Sequence, residues 1–127
     1  MRILVTGGTG MVGSAFQKIK TGHDLILVGS EQYDLRNRHA VDHMFHENPV
    51  DAVIHLAAKV GGVKGNSDYV ADFFYDNIIM NTNVLDAAKN YKIPKFVSLL
   101  STCVYPDKVT YPLTEDQIHN GEPHKSN

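Results

Sequence analysis

The sequence predicts a doubly wound α/β fold built on a parallel sheet. Two observations carry this. Short, continuous apolar runs alternate with stretches whose apolar residues recur at helical spacing, as expected for strands covered on both faces. The first of these runs leads directly into a glycine-rich loop that opens the first helical stretch.

The elements follow in order. Residues 2–6 read as a buried strand through Ile3, Leu4 and Val5. After the loop at 7–13, Met11, Val12, Ala15, Phe16 and Ile19 recur at helical spacing, with Thr21-Gly22 as the expected stop. Residues 25–28 form a second strand. Val41, Met44 and Phe45 give a second helical face that ends at Asn48-Pro49. Residues 52–56 are a third strand, 69–91 a long helix, and 96–100 a fourth strand. Beyond Ser101 the pattern fails, and Pro106, Pro112, Gly121 and Pro123 punctuate a polar tail. The expected strand order is 3-2-1-4.

Composition bounds the function classes. The 127 residues amount to one domain, and 43% apolar content suffices for a packed core. A formal net charge of −2 without a basic cluster gives no support to a nucleic-acid or membrane-surface role. No apolar stretch is long enough to span a bilayer, and because Met1-Arg2 runs straight into a strand-like run no signal peptide is expected. The single cysteine excludes an internal disulfide and suits a reducing compartment, so a cytoplasmic location is expected.

The loop Gly7-Gly8-Thr9-Gly10-Met11-Val12-Gly13 satisfies both Gly-x-x-Gly-x-x-Gly and Gly-x-Gly-x-x-Gly. One glycine makes a tight turn, a second admits a pyrophosphate to the backbone, and a third lets helix and strand pack closely. In a strand–loop–helix context this is the opening of a Rossmann-like dinucleotide site; the alternative is a turn that binds nothing. At the end of the second strand, where an acidic residue would select NAD, stand Gly29-Ser30, which leave room for a 2′-phosphate. Glu31 complicates that reading. Arg36 and Arg38 offer charge for a phosphate, or are simply a solvated helix start. Asp34-Leu35 is a candidate adenine contact or a helix cap. NADP(H) is the expected cofactor.

Val5 to Gly13, His55-Leu56-Ala57-Ala58 and Asn81 to Ala88 resemble the extended short-chain dehydrogenases/reductases. Ala57-Ala58-Lys59-Val60-Gly61-Gly62, Leu100 to Lys108 and the tail from Tyr111-Pro112 to Gly121 narrow the resemblance to the GDP-L-fucose synthase family. The resemblance covers essentially the whole chain. It implies an NADPH-dependent enzyme, cytoplasmic and homodimeric at full length, that epimerises a GDP-4-keto-6-deoxymannose at C3 and C5 and reduces its 4-keto group. It implies Ser101 as the reductase serine and Cys103 as the epimerisation acid/base. It also implies Leu56, Ala57 and Ala58 beside the cofactor, and Lys59, Val60 and Gly61, with Asn66 and Asn77, on the sugar-nucleotide side. The chemistry is coherent: a hydroxyl at a strand end supplies a donor to a developing alkoxide, and a thiol near neutrality removes and returns a proton. Taken without the resemblance, Ser101 is equally a turn residue and Cys103 a small buried hydrophobe.

The departure from the family pattern is a missing Tyr-x-x-x-Lys. Tyr105 and Tyr111 are followed four residues on by Val109 and Glu115. The resemblance places that motif past Asn127, so residues 1–127 are expected to be an incomplete dinucleotide-binding domain without its substrate domain, inactive alone. Other readings stay open: another nucleotide-sugar epimerase or dehydratase, or a non-catalytic dinucleotide-binding module. His39, His43 and His46 share a helical face, read as solvated rather than as a metal site, and His55 is either near the cofactor or packed at a strand end.

Overall fold

In the computed structural model, which describes residues 1–124 apart from the side chains of Val63 and Asn66, four parallel strands make one sheet. They are β1 (Arg2–Thr6), β2 (Asp24–Val28), β3 (Ala52–His55) and β4 (Lys95–Ser98). Four helices connect or cover them: α1 (Met11–Phe16), α2 (Arg38–Glu47), α3 (Gly62–Asp68) and α4 (Val70–Asn90). The doubly wound parallel class expected from the sequence is what the chain forms.

The strand order is β2-β1-β3-β4, which corrects the expected 3-2-1-4. β3 pairs with β1, not outside β2, with Val5 between Leu27 and Ile54 and Thr6 between Val28 and His55. Burial explains the difference. β1 and β3 are covered on both faces, while β2 and β4 are the less buried edges. The right-handed crossovers β1–α1–β2 and β2–α2–β3 run in opposite directions, which places α1 and α2 on opposite faces of the sheet. The switch point therefore falls between β1 and β3, and a crevice opens there at the carboxyl ends of the strands.

Reversing direction lets α2 and α4 pool their apolar faces over the same side of the sheet. Val41, Met44 and Phe45 of α2 and Val84, Ala87 and Ala88 of α4 enclose Leu4, Val28 and Val53. Each large apolar side chain buried this way stabilises by roughly 1.5–3 kcal/mol. Arg38 braces the helix pair, reaching Asp42 on its own helix and Asp86 on α4. On the other face a smaller cluster forms from Ile3, Val5 and Ala52 with the half-buried Leu25, Leu27, Ile54 and Leu56.

Asn37 caps α2 by accepting from the amides of His39 and Ala40 at 2.9 and 3.3 Å, worth about 1 kcal/mol. Asp34 is not the cap. α1 stops at Phe16, short of the expected Thr21-Gly22. α3 was not anticipated, since its glycines and polar residues carry no apolar period. After β4 the described residues make 3₁₀ turns at Thr102–Val104 and Glu115–His119 and an isolated antiparallel bridge between Pro106 and Pro123.

Candidate dinucleotide cleft

The register of β1, β2 and β3 brings the loops after all three to one edge, where they surround a cleft of about 710 Å³. That volume suits a bound cofactor. The glycines divide the labour. Gly7 turns the chain at φ 69°, a left-handed conformation that a side chain disfavours, and a Cβ there would lie 2.7 Å from the amide nitrogen of Ala57. A Cβ at Gly13 would sit 2.4 Å from the carbonyl oxygen of Gly7, so helix and loop meet backbone to backbone. At Gly10 the nearest atom is that same oxygen at 3.2 Å, and the position otherwise opens on the cleft. The amides of Met11, Val12 and Gly13 begin α1 and lack intrahelical acceptors. This is a cradle that admits a phosphate to backbone N–H groups.

Gly7, Thr9, Gly10, Met11, Val12, Gly13, Ser30, Asp34, Leu35, Arg36, Leu56, Ala57 and Ala58 all line the cleft, as do Lys59 and Val60. Gly8 and Gly61 do not. A Cβ on Gly8 would press on Leu27, and one on Gly61 would press on the Phe73 ring, so both are packing glycines. Glu31 is not among the lining residues either, and Arg38, held between Asp42 and Asp86, faces away from any phosphate role here.

Sequence reasoning missed Tyr33, Asp76 and Met80, which also line the cleft. Tyr33 donates its hydroxyl to Glu47 at 2.6 Å, and that bond together with burial raises its pKa. Asp76 lies on α4, 7% exposed, and accepts from Lys59 Nζ at 2.5 Å and Arg36 Nη1 at 3.4 Å through one oxygen, Oδ2. Arg36 also grips Asp34, with Nε at 2.9 Å and Nη2 at 2.8 Å. The Lys59 hydrogen bond, ahead of the charges of Lys59 and Arg36, lowers the Asp76 pKa, and Arg36 lowers that of Asp34. An acid set within the largely apolar run from Phe73 to Met80 was the available signal for Asp76.

Further residues of α4 hold the walls. Asn77 clamps the Lys59 backbone, accepting from its amide and donating to its carbonyl, each at 2.8 Å. Asn83 donates to the carbonyls of Leu35 and Arg36 at 3.0 and 3.1 Å. Asn77 therefore positions the loop carrying Lys59, while the side chain of Asn66 lies outside the described residues. His55 is the packed strand-end histidine of the two readings: 3% exposed, with Nδ1 2.6 Å from Thr6 Oγ1 and Nε2 2.9 Å from Asn81 Oδ1. Burial lowers its pKa.

Ser101 and Cys103 stand beyond β4 at the same edge of the sheet, but they do not line the cleft. The Ser101 hydroxyl accepts from the Cys103 amide at 3.1 Å and starts a 3₁₀ turn; both residues are exposed. Cys103 is thus not a buried hydrophobe. His39, His43 and His46 are exposed on α2, and among the described residues no group of three metal-binding side chains converges.

A parallel sheet with a glycine cradle at its switch point defines a dinucleotide-binding protein of the Rossmann type. Residues 3–127 match the model of the NAD dependent epimerase/dehydratase family, and the chain belongs to that family. It is similar to GDP-L-fucose synthase of Dictyostelium discoideum, 44% identical across 98% of this chain and 41% of the relative. It is likewise similar to that of Escherichia coli, 33% identical across 94% and 38%. Among solved structures, a GDP-L-fucose synthetase from Naegleria fowleri bound to NADP is 42% identical, covers 99% of this chain and 42% of its own, and superposes with a TM-score of 0.82. The chain spans about two fifths of the length of these relatives. Among the described residues no helix is long and apolar enough to cross a membrane.

Proposed function

We propose that this chain is the cofactor-binding part of a GDP-L-fucose synthase. In this reading the whole enzyme epimerises GDP-4-keto-6-deoxymannose at C3 and C5 and reduces the 4-keto group. The observation that carries it is the placement at one sheet edge of a glycine cradle and, beyond β4, of Ser101 and Cys103. The similarity to GDP-L-fucose synthases along nearly the whole chain supports the choice of substrate.

The cleft residues fit NADP(H). The cradle receives the pyrophosphate, and Ser30, an open position where an acid would favour NAD, accommodates the 2′-phosphate beside Arg36. Asp34 and Leu35 border the adenine, and Leu56, Ala57 and Ala58 the opposite side. Bound NADPH supplies the hydride for ketone reduction. Ser101 donates a hydrogen bond to the oxygen on which negative charge develops, and Cys103 moves the proton on one face of the epimerised carbon while a second acid/base group serves the opposite face. Lys59, Val60 and Gly61 belong to the sugar-nucleotide side, Gly61 by shaping the loop. Residues 1–127 alone do not turn over, because no Tyr-x-x-x-Lys follows Ser101 within them to supply the main proton donor.

The reading extends to a homodimer. Val70, Phe74, Ile78 and Leu85 leave an exposed apolar row along α4, suited to a second copy. A single cysteine, exposed at Cys103, suits a reducing, cytoplasmic setting.

The test uses the enzyme with its Tyr-x-x-x-Lys present. Ser101→Ala should slow NADPH oxidation while sparing deuterium uptake from solvent into the sugar. Cys103→Ser should suppress that uptake, because a hydroxyl is far less acidic than a thiol. Normal uptake in Cys103→Ser removes the cysteine from the mechanism.

A further inference from the structure

Two cations from opposite walls of the cleft, Arg36 after β2 and Lys59 after β3, meet on the same oxygen of Asp76. Lys59 is held there by three residues of α4. Its backbone is clamped by Asn77, its ammonium lies 5.4 Å from the centre of the Phe73 ring, and its charge is on Asp76. Asp34 grips the remaining edge of Arg36. The charges of Arg36, Lys59, Asp34 and Asp76 cancel, although all four line the same cleft as the glycine cradle.

A cleft that receives phosphates does not need a carboxylate in its wall. We propose that Asp76 is an internal stand-in for a ligand phosphate: it holds Arg36 and Lys59 in place and neutralised until a phosphate group takes one or both of them. The proposal rests on the reading of the cleft as a nucleotide site. It makes Asp76 a positioning residue that weakens binding in exchange for a preset geometry, since an incoming phosphate replaces an existing ion pair instead of ordering two long side chains. The phosphate has two possible sources, the 2′-phosphate of the dinucleotide beside Arg36 or the diphosphate of the sugar nucleotide beside Lys59.

The sign of one substitution decides. Asp76→Asn keeps the shape and an amide oxygen to accept from both cations, but removes the competing charge. A unit charge removed about 6–8 Å from a phosphate in a hydrated cleft changes affinity by roughly threefold to tenfold. Calorimetric titration of the protein with 2′,5′-ADP, GDP and phosphate-free adenosine reads this. The expected result is a threefold to tenfold tightening in Asp76→Asn for 2′,5′-ADP, for GDP or for both, steeper in low salt, with adenosine unchanged; which ligand gains identifies the source. Weaker or unchanged binding of both phosphate ligands, or an equal gain for adenosine, overturns the proposal and leaves Asp76 a strut. If Asp76→Asn does not fold, Lys59→Gln decides: about threefold weaker binding of a phosphate ligand with adenosine unchanged supports the stand-in, and no phosphate-specific loss overturns it. If the unsubstituted protein binds none of the three, the nucleotide reading of the cleft falls and this proposal with it. Binding without the Asp76→Asn gain overturns the proposal alone.

Discussion

Replacing single glycines of the loop by alanine should separate folding from binding. At Gly13 the added Cβ would stand 2.4 Å from the Gly7 carbonyl oxygen and 2.5 Å from Gly8 Cα. Both are backbone atoms in the turn that β1 needs, so no side-chain rotation relieves the contact. Overpacking of this kind costs typically 1–3 kcal/mol, and a backbone-to-backbone clash belongs at the upper end. For a domain of this size that lowers Tm by on the order of 10 °C. At Gly10 the single near neighbour is 3.2 Å away and φ is −78°, which alanine adopts without strain. Gly10→Ala should therefore melt within about 2 °C of the parent, since surface substitutions usually stay within about 0.5 kcal/mol. Its methyl group nevertheless occupies the approach to the loop amides, and NADPH affinity should fall by at least tenfold. Differential scanning calorimetry and isothermal titration check the pair. A Gly13→Ala variant as stable as the parent, or a Gly10→Ala variant with unchanged NADPH affinity, would refute the assignment of roles within the loop.

The remaining predictions concern the walls of the cleft. Burial lowers the His55 pKa, so the folded state resists protonation that the unfolded chain accepts. The stability this contributes is present above the ordinary pKa of about 6.5 and is lost as pH falls below it; urea midpoints should drop between pH 7 and pH 5, and His55→Gln should flatten that slope. Asn83→Ala removes two hydrogen bonds to the loop after β2 and leaves the carbonyls of Leu35 and Arg36 without that donor. A loss of about 1–3 kcal/mol in the urea midpoint, with weakened NADPH binding, is expected; unchanged values for both would show that the loop holds itself.

What was legible in the sequence is what local pattern carries. The glycine spacing around Gly7, Gly10 and Gly13 specified a turn, an open approach and a close contact, and each has its own geometry in the structure. Val41, Met44 and Phe45 announced the buried face of α2 at its own periodicity. Strand order was not legible, because each run is apolar whether it pairs with β1 or lies outside β2; the direction of a crossover is settled by which helices share a face. Tyr33 and Asp76 escaped for a related reason. Tyr33 is held by Glu47 at the end of α2, and the place of Asp76 depends on α4 lying across the strand ends, a contact between segments some forty residues apart, as the Arg36–Asp76 pair shows.

α4 joins these observations. It carries Phe73, Asp76, Asn77, Asn81 and Asn83, which reach Gly61, Lys59, Arg36, His55 and the carbonyl of Leu35. Its carboxyl-terminal half carries Val84, Ala87 and Ala88, which seal the core against α2. Polar groups within a core helix cost stability unless each finds a partner, and here the partners come from the loops that form the cleft. Among the described residues no buried side-chain nitrogen or oxygen is left without one. The helix consequently does two jobs with one rigid body: Val84, Ala87 and Ala88 fix its position on the sheet, and that position sets its polar side chains against the loops after β2 and β3. A substitution at Val84 or Ala88 that shifts the helix by a fraction of an ångström should therefore reach nucleotide affinity through Asn77 and Asn83, even though neither Val84 nor Ala88 lines the cleft.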